Sequence, residues 1–143
     1  MQANITIIPN VKDLENLHFK AVGLALTRIQ SGKSKETVEL LRETGDKKLK
    51  LQLPIVLFSG EFKERKDDAL IDHSGLIVLD FDHIEDVVET KTNLATDAYV
   101  YSVWISPSGN GLKALVRIKY PERHRDHFRG LVKYFDKQYG LEV

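Results

Sequence analysis

Cysteine is missing altogether from the 143 residues, which excludes a disulfide framework and any thiolate zinc site. Long hydrophobic runs are missing too. Although 42% of the chain is hydrophobic, no apolar stretch approaches the ~20 residues of a membrane span. The opening Met1-Gln2-Ala3-Asn4 has no basic segment and no cleavage site, so no signal peptide is expected and a cytoplasmic protein is. Internal repeats and low-complexity linkers are absent as well. The length fits a single domain over residues 1–143 with room for a real core.

Net charge is zero, but its distribution is uneven. Residues 61–97 hold four basic and eleven acidic side chains, whereas residues 113–137 hold eight basic and three acidic. That asymmetry fits an acidic metal cleft beside a basic surface that receives phosphates, and it also fits two differently solvated helices.

Local patterns predict a strand at Ile5–Ile8, then a helix capped by Asn10 and running to about Ile29, with Leu14, Leu17, Ala21 and Leu24 on its buried face. A second helix follows Ser34 and stops at Gly45. Residues 46–50 read as a loop or polar strand edge, and residues 54–58 as an apolar strand. Residues 61–74 are charged and turn-like. A third strand occupies residues 75–82, followed by a short helix from His83 to about Thr90 with Ile84, Val87 and Val88 inward. Strands at residues 98–105 and 112–119 come next. A last helix starts at Pro121 and ends at Gly140, before what looks like the opening of another strand at Leu141. Helices gather at both ends and strands in the middle, which predicts an α+β domain with a mostly antiparallel central sheet flanked by helices.

The most informative stretch is Leu79-Asp80-Phe81-Asp82, at the end of the apolar run Gly75-Leu76-Ile77-Val78-Leu79. Strand alternation sends Asp80 and Asp82 to one face, with Cα atoms roughly 6.6 Å apart. Two carboxylates that close repel each other, and a divalent cation relieves the repulsion. Hard oxygen ligands suit Mg2+ or Mn2+. The same residues also fit a strand leaving the core, with two solvated aspartates opening a turn.

Downstream, Ser106-Pro107-Ser108-Gly109-Asn110-Gly111 joins two predicted strands. Gly109 and Gly111 allow the backbone to form an anion nest, and Ser106 and Ser108 offer hydroxyl donors, although the composition is also that of an ordinary hairpin. Alternation after the turn places Lys113, Leu115, Arg117 and Lys119 on one face. If this strand lies beside the aspartates, Lys113 meets them. On the last helix, Phe128, Leu131, Val132, Phe135 and Tyr139 form the core stripe. Arg125, Arg129, Lys133 and Lys137 form a basic row, suited either to solvent or to a nucleic-acid backbone. His124 and His127, spaced i and i+3, have no third ligand and read as surface residues.

Taken together, the segment from Gly75 to Ile84, the turn from Ser106 to Lys113, the stretch Leu53–Phe62 and Tyr139–Val143 resemble the VirE N-terminal-like domain of bacterial mobile-element and phage proteins. That family is similar to the catalytic core of archaeo-eukaryotic-type primases, the primase-polymerase superfamily with its RRM-like core. The resemblance covers most of the chain, from about Leu53 onward. It implies that Asp80 and Asp82 are the catalytic, metal-holding pair. Ser106, Ser108, Gly109, Gly111 and Lys113 would bind nucleotide phosphates, with Lys113 where the family has a histidine. Arg117, Arg125, Arg129, Lys133 and Lys137 would contact nucleic acid. The third acidic residue of the family has no convincing counterpart before Val143, and Glu142 is a poor stand-in. The resemblance therefore implies a fragment of a larger replication protein, often continued by a helicase-like domain, acting on nucleoside triphosphate and DNA or RNA with no membrane partner. A non-catalytic nucleic-acid-binding or assembly module is the alternative. A phosphatase of the haloacid dehalogenase type also ends a strand in Asp-x-Asp, but normally places it near the N-terminus and follows it with Gly-Thr, not with His83-Ile84.

Overall fold

The computed structural model describes residues 3–143; Met1 and Gln2, which belong to the segment read above for a signal peptide, lie outside the described residues. The chain divides into two compact units, Met1–Ser74 and Gly75–Val143. The fold is α+β, with antiparallel sheets flanked by helices. Instead of one central sheet there are, among the described residues, three small ones, of three, two and three strands. Among the described residues no helix is long and apolar enough to cross a membrane.

In the first unit, β1 (Asn4–Ile8) lies between β2 (His18–Ala21) and β3 (Ile55–Leu57), antiparallel to both. Ile5 and Ile8 are fully buried on β1, and so is Thr6. A buried hydroxyl is tolerated only when it is hydrogen-bonded. The Thr6 hydroxyl donates to the Gly60 carbonyl at 2.8 Å and accepts from the Phe62 N–H at 2.9 Å. It thereby ties β1 to the hairpin of β4 (Gly60–Phe62) and β5 (Leu70–His73). That hairpin occupies the stretch expected to be turns alone.

The long helix expected from Asn10 forms only over its C-terminal part, as α1 (Val22–Ser31). The Asn10 carboxamide closes a turn, accepting from the Lys12 N–H at 2.9 Å. Residues 18–21 then return along β1 as a strand, from His18 opposite Ile7 to Ala21 opposite Asn4. Helix propensity differs by only tenths of a kcal/mol per residue, so strand pairing overrides it. Leu14 and Leu24, expected on the buried face, are 46% and 60% exposed, and Val22 and Ala25 supply the buried side instead. The second helix, α2 (Lys35–Thr44), ends at Gly45 as expected. Ser34 does not cap it; its hydroxyl accepts from Arg28 at 3.2 Å. A short helix, α3 (Lys47–Lys50), replaces the expected loop or strand edge, with the Asp46 carboxylate accepting from the Lys48 N–H at 3.0 Å.

In the second unit, β6 (Leu76–Phe81), α4 (Val87–Ala95), β7 (Val100–Ile105), β8 (Leu112–Arg117) and α5 (His124–Tyr139) follow in order. The sheet order is β6-β8-β7, all antiparallel. The central strand is therefore β8, and β6 is an edge. One face of this sheet is wholly apolar. Ile77, Leu79 and Phe81 stand opposite Val116, Ala114 and Leu112, and the group packs with Leu94 of α4 and Phe135 of α5. The Phe81 and Phe135 rings meet with centroids 5.4 Å apart. Burying each of these larger side chains contributes about 1.5–3 kcal/mol.

The helix after β6 starts later than expected, because the Asp86 carboxylate caps it by accepting from the Glu89 N–H at 3.0 Å. Ile84 and Val87 do pack on the core, but Val88 is 70% exposed. Leu131 and Tyr134 line the core beside Phe128, Phe135 and Tyr139, whereas Val132 is only half-buried. Residues 141–143 form no strand.

Candidate functional site

The second face of the same sheet carries the chemistry. Register places Asp80 of β6 directly opposite Lys113 of β8, and Trp104 of β7 opposite Lys113 from the other side. Directly opposed residues share a face. The Lys113 Nζ donates to the Asp80 Oδ1 at 2.6 Å. The pair is open to solvent, with the Asp80 side chain 54% exposed and that of Lys113 31%. Such a pair contributes only about 0.2–1 kcal/mol to stability. Four residues along β8, the guanidinium of Arg117 lies over the Tyr101 ring, 4.5 Å from its centroid.

The turn closes this face at one end. The Ser106 N–H donates to the Gly111 carbonyl at 2.9 Å, and the Gly109 N–H donates to the Ser106 carbonyl at 3.0 Å. Gly109 sits at φ +88°, where a side chain would strain the backbone. The Ser108 hydroxyl donates to the Asn110 carboxamide at 2.8 Å, so across the 2.9 Å separation it is the Ser106 hydroxyl that donates to Ser108. The two serines expected to face phosphate thus bind each other and the turn.

Gly111 has a steric reason to lack a side chain. A Cβ there would come within 2.6 Å of the Phe81 carbonyl, 3.1 Å of the Ser106 hydroxyl and 3.3 Å of an Asp82 carboxylate oxygen. Asp82 and Ser106 therefore border the space a side chain at Gly111 would occupy, two residues before Lys113. His83, the next residue, is at φ +55°, an uncommon conformation outside glycine that histidine adopts more readily than most. It turns the chain so that the Ile84 N–H donates to the Asn110 carbonyl at 2.9 Å, fastening the segment after the aspartates to the turn.

The structure thus brings together Asp80, Asp82, Ser106, Gly111 and Lys113. It does not bring the basic row to them. Arg125, Arg129, Lys133 and Lys137 are all exposed on α5, whose buried stripe packs on the opposite, apolar face of the sheet. Only Arg117 of the expected nucleic-acid contacts belongs to the strand that carries Lys113. In the structure the partner of Asp80 is the Lys113 ammonium. Among the described residues no group of three or more His, Cys, Asp or Glu is arranged to hold a metal ion. The donor set present is two exposed carboxylates, hard oxygen ligands of the kind Mg2+ and Mn2+ take, but too few to strip either ion of its water.

Three features lay outside the expectations drawn from sequence. Trp104 faces Lys113 across the ladder, legible only once the β7–β8 register is known. The left-handed His83 has no sequence signature. Asp97, in the loop before β7, accepts hydrogen bonds from the hydroxyls of both Tyr134 and Tyr139. Burial alone would raise the Asp97 carboxyl, but those hydroxyls and the N–H groups of Tyr99 and Val100 hold it below its ordinary value. The same bond to Asp97, with burial, pushes the Tyr139 hydroxyl up to about 12 and raises Tyr134 as well.

No curated protein and no solved structure matches the chain. Residues 48–141 match the family described as "BT4734-like, N-terminal domain", in keeping with a VirE N-terminal-like domain. The match takes in β3 and everything from there through the aspartates, the turn and α5, which is most of the sequence. This chain belongs to the BT4734-like N-terminal domain family.

Proposed function

We propose that the chain is a primase-like nucleotide- and nucleic-acid-binding domain of a mobile-element or phage replication protein. The observation that carries this reading is the meeting of Asp80, Lys113 and the Ser106–Gly111 turn on one face of the β6-β8-β7 sheet. Membership of the family and the order of these motifs along the chain support it. Asp80 and Asp82 are the residues that would hold Mg2+ or Mn2+. A bound cation would neutralise triphosphate charge there and complete its coordination with phosphate oxygens and water.

The chain's own part is electrostatic and positional. Lys113 holds Asp80 while the site is empty of anions, and an arriving triphosphate offers the ammonium a more highly charged partner. Its turning from carboxylate to phosphate frees Asp80, so nucleotide and cation bind together or hardly at all. Ser106 and Ser108 exchange their mutual hydrogen bond for phosphate oxygens. Trp104, on the other flank of Lys113, offers an apolar ring surface to the nucleoside. With two acids instead of three, the 143-residue chain binds nucleotide but synthesises little or no polymer, and catalysis belongs to a longer protein with a further acid and, as the resemblance implies, a helicase-like domain.

Titration calorimetry with a nucleoside triphosphate, with and without Mn2+, tests this. Metal alone should bind weakly, metal with nucleotide at least tenfold more tightly, and Asp80→Ala and Lys113→Ala should each abolish the difference. Nucleotide binding that ignores both metal and Asp80 would overturn the reading. Robust primer synthesis by this chain alone would refute the argument that its catalytic set is incomplete. A second reading, a non-catalytic nucleic-acid-binding or assembly module, draws on the Lys113–Asp80 contact itself, because a lysine occupying the carboxylate replaces a metal as well as awaiting one. A longer protein inert in synthesis but still binding oligonucleotide would favour it.

A further inference from the structure

A second concave surface lies on α5, on the side of the sheet away from Asp80. It is an open groove of about 450 Å³ lined by Tyr99, Tyr120, Arg123, His127, Gly130 and Tyr134, with Asp126 and Leu131 completing it. Its volume is within the range of ligand sites, about 300–1,000 Å³. What distinguishes it is exposed aromatic surface. Tyr99 is 57% exposed and Tyr120 43%. The Tyr120 ring stacks on His127 with centroids 6.1 Å apart, and the Tyr120 N–H donates to the His127 Nε2 at 3.2 Å, which holds both rings in place. Tyr99 meets Tyr134 edge to face at 5.0 Å, and Tyr134 is in turn anchored to Asp97. Between the two ring pairs the helix presents Gly130, where an added Cβ would meet nothing within 4 Å. The gap is thus bounded by four oriented rings and floored by a residue without a side chain.

Cations stand on the segments that line the gap. The Lys119 Nζ lies 5.4 Å from the Tyr120 ring centroid. Lys133 follows Gly130 by three residues and Lys137 follows Tyr134 by three, positions that neighbour each other on a helix. The one carboxylate in the lining, Asp126, is paired with Arg123 at 3.2 Å. Flat aromatic faces bordered by cations match a polyanion with unstacked bases. Stacking is sequence-tolerant, and the phosphates between successive bases meet the lysines. A duplex keeps its bases stacked inward and has no use for the rings. A proline-rich peptide would use the rings and not the cations.

We infer that this groove binds single-stranded nucleic acid, with one or two unpaired bases against Tyr99 and Tyr120 and the backbone along Lys119, Lys133 and Lys137. The site is separate from the Asp80 face and gives Lys133 and Lys137 a role away from the aspartates. A base entering over Tyr120 replaces the Lys119 ammonium, which then turns to phosphate.

The test is anisotropy of a labelled single-stranded oligonucleotide with the full 143-residue chain, wild type against Gly130→Leu, Tyr99→Ala and Tyr120→Ala. Gly130→Leu fills the gap while improving helix propensity, so it folds at least as well as wild type. Each variant should weaken binding roughly fivefold or more, the loss expected of one stacking platform. Lys133→Ala and Lys137→Ala should each lower the salt slope by about 0.7. Wild-type affinity in Gly130→Leu overturns the inference, and so does a wild-type chain that binds no oligonucleotide at low salt. Equal affinity for duplex, or displacement of the oligonucleotide by a proline-rich peptide, overturns it too. Mn2+–nucleotide binding measured on the same proteins keeps the two sites apart. If it fails while the groove variants still lose oligonucleotide, the nucleotide–metal site proposed above falls and the groove stands.

Discussion

The two faces of the β6-β8-β7 sheet are written by the same strands and could hardly differ more. One face sets Ile77, Leu79 and Phe81 against Val116, Ala114 and Leu112 under two helices, with no polar group to satisfy. The other begins apolar, with Leu76 and Leu115 fully buried, and ends in the open ion pair of Asp80 and Lys113. Period-two alternation lets a six-residue strand carry packing on odd positions and chemistry on even ones. A slip of one residue would exchange the two outright. The apolar face fixes the register, and the register sets Lys113 opposite Asp80.

That contrast can be broken in graded ways. The largest effect should come from Phe135→Ala, which empties the centre of the apolar face. Urea unfolding should show a loss of about 3–5 kcal/mol, and a loss under 1 kcal/mol would mean the face does not hold the unit together. Next comes Gly111→Ala, whose Cβ would press within 2.6 Å of the Phe81 carbonyl. It should cost about 1–3 kcal/mol and weaken nucleotide binding, since the turn must move away from Asp82. Normal stability with normal nucleotide binding would show that the close approach is not needed.

A smaller effect is expected at Asp97. Tyr139→Phe removes one hydrogen bond to that carboxylate, worth about 1 kcal/mol where solvent reaches it. Because the Asp97 carboxyl is lowered from 3.8, its share of stability is present above that pH and is lost as pH falls below it. The Tyr139 share runs the other way. Its hydroxyl is raised from 10.0 to about 12, so its contribution is whole below pH 10 and is lost as pH climbs toward 12. Thermal melts across both limits should show the wild type losing stability at each end and Tyr139→Phe losing less at the alkaline one. The smallest effect belongs to the site itself. A double-mutant cycle on Asp80→Asn and Lys113→Met should give a coupling of only about 0.2–1 kcal/mol, vanishing in high salt. A coupling of several kcal/mol would mark the pair as a structural clamp instead of a poised site.

The strands of the second unit were legible because each is an apolar run bounded by glycine, proline or charge, as Gly75 and Asp82 bound β6. The aspartate spacing and the face of Lys113 followed from alternation alone. What escaped was set by partners distant in sequence. Residues 18–21 have a helical pattern and became strand because β1 was there to pair with. Leu70–His73 alternates poorly and is strand because β4 lies beside it. The position of β6 at the sheet edge depends on chain order in space, which no local pattern encodes. The aromatic groove at Gly130 joins residues from before β7, after β8 and along α5, so its parts are scattered over 36 positions of sequence, from Tyr99 to Tyr134.

Thr6 has one more consequence. The matched family region begins at residue 48, yet β3 within it is hydrogen-bonded to β1, and the Gly60 carbonyl and Phe62 N–H are both satisfied by the Thr6 hydroxyl. A shortened chain cut at the family boundary would strip β3 of its partner strand, open the edge that faces β1, and orphan both backbone groups at once. Such an edge recruits strands from neighbouring molecules. Anyone excising the recognisable part of this protein should therefore expect sticky, poorly behaved material, and should keep the first eight residues or supply a strand in their place.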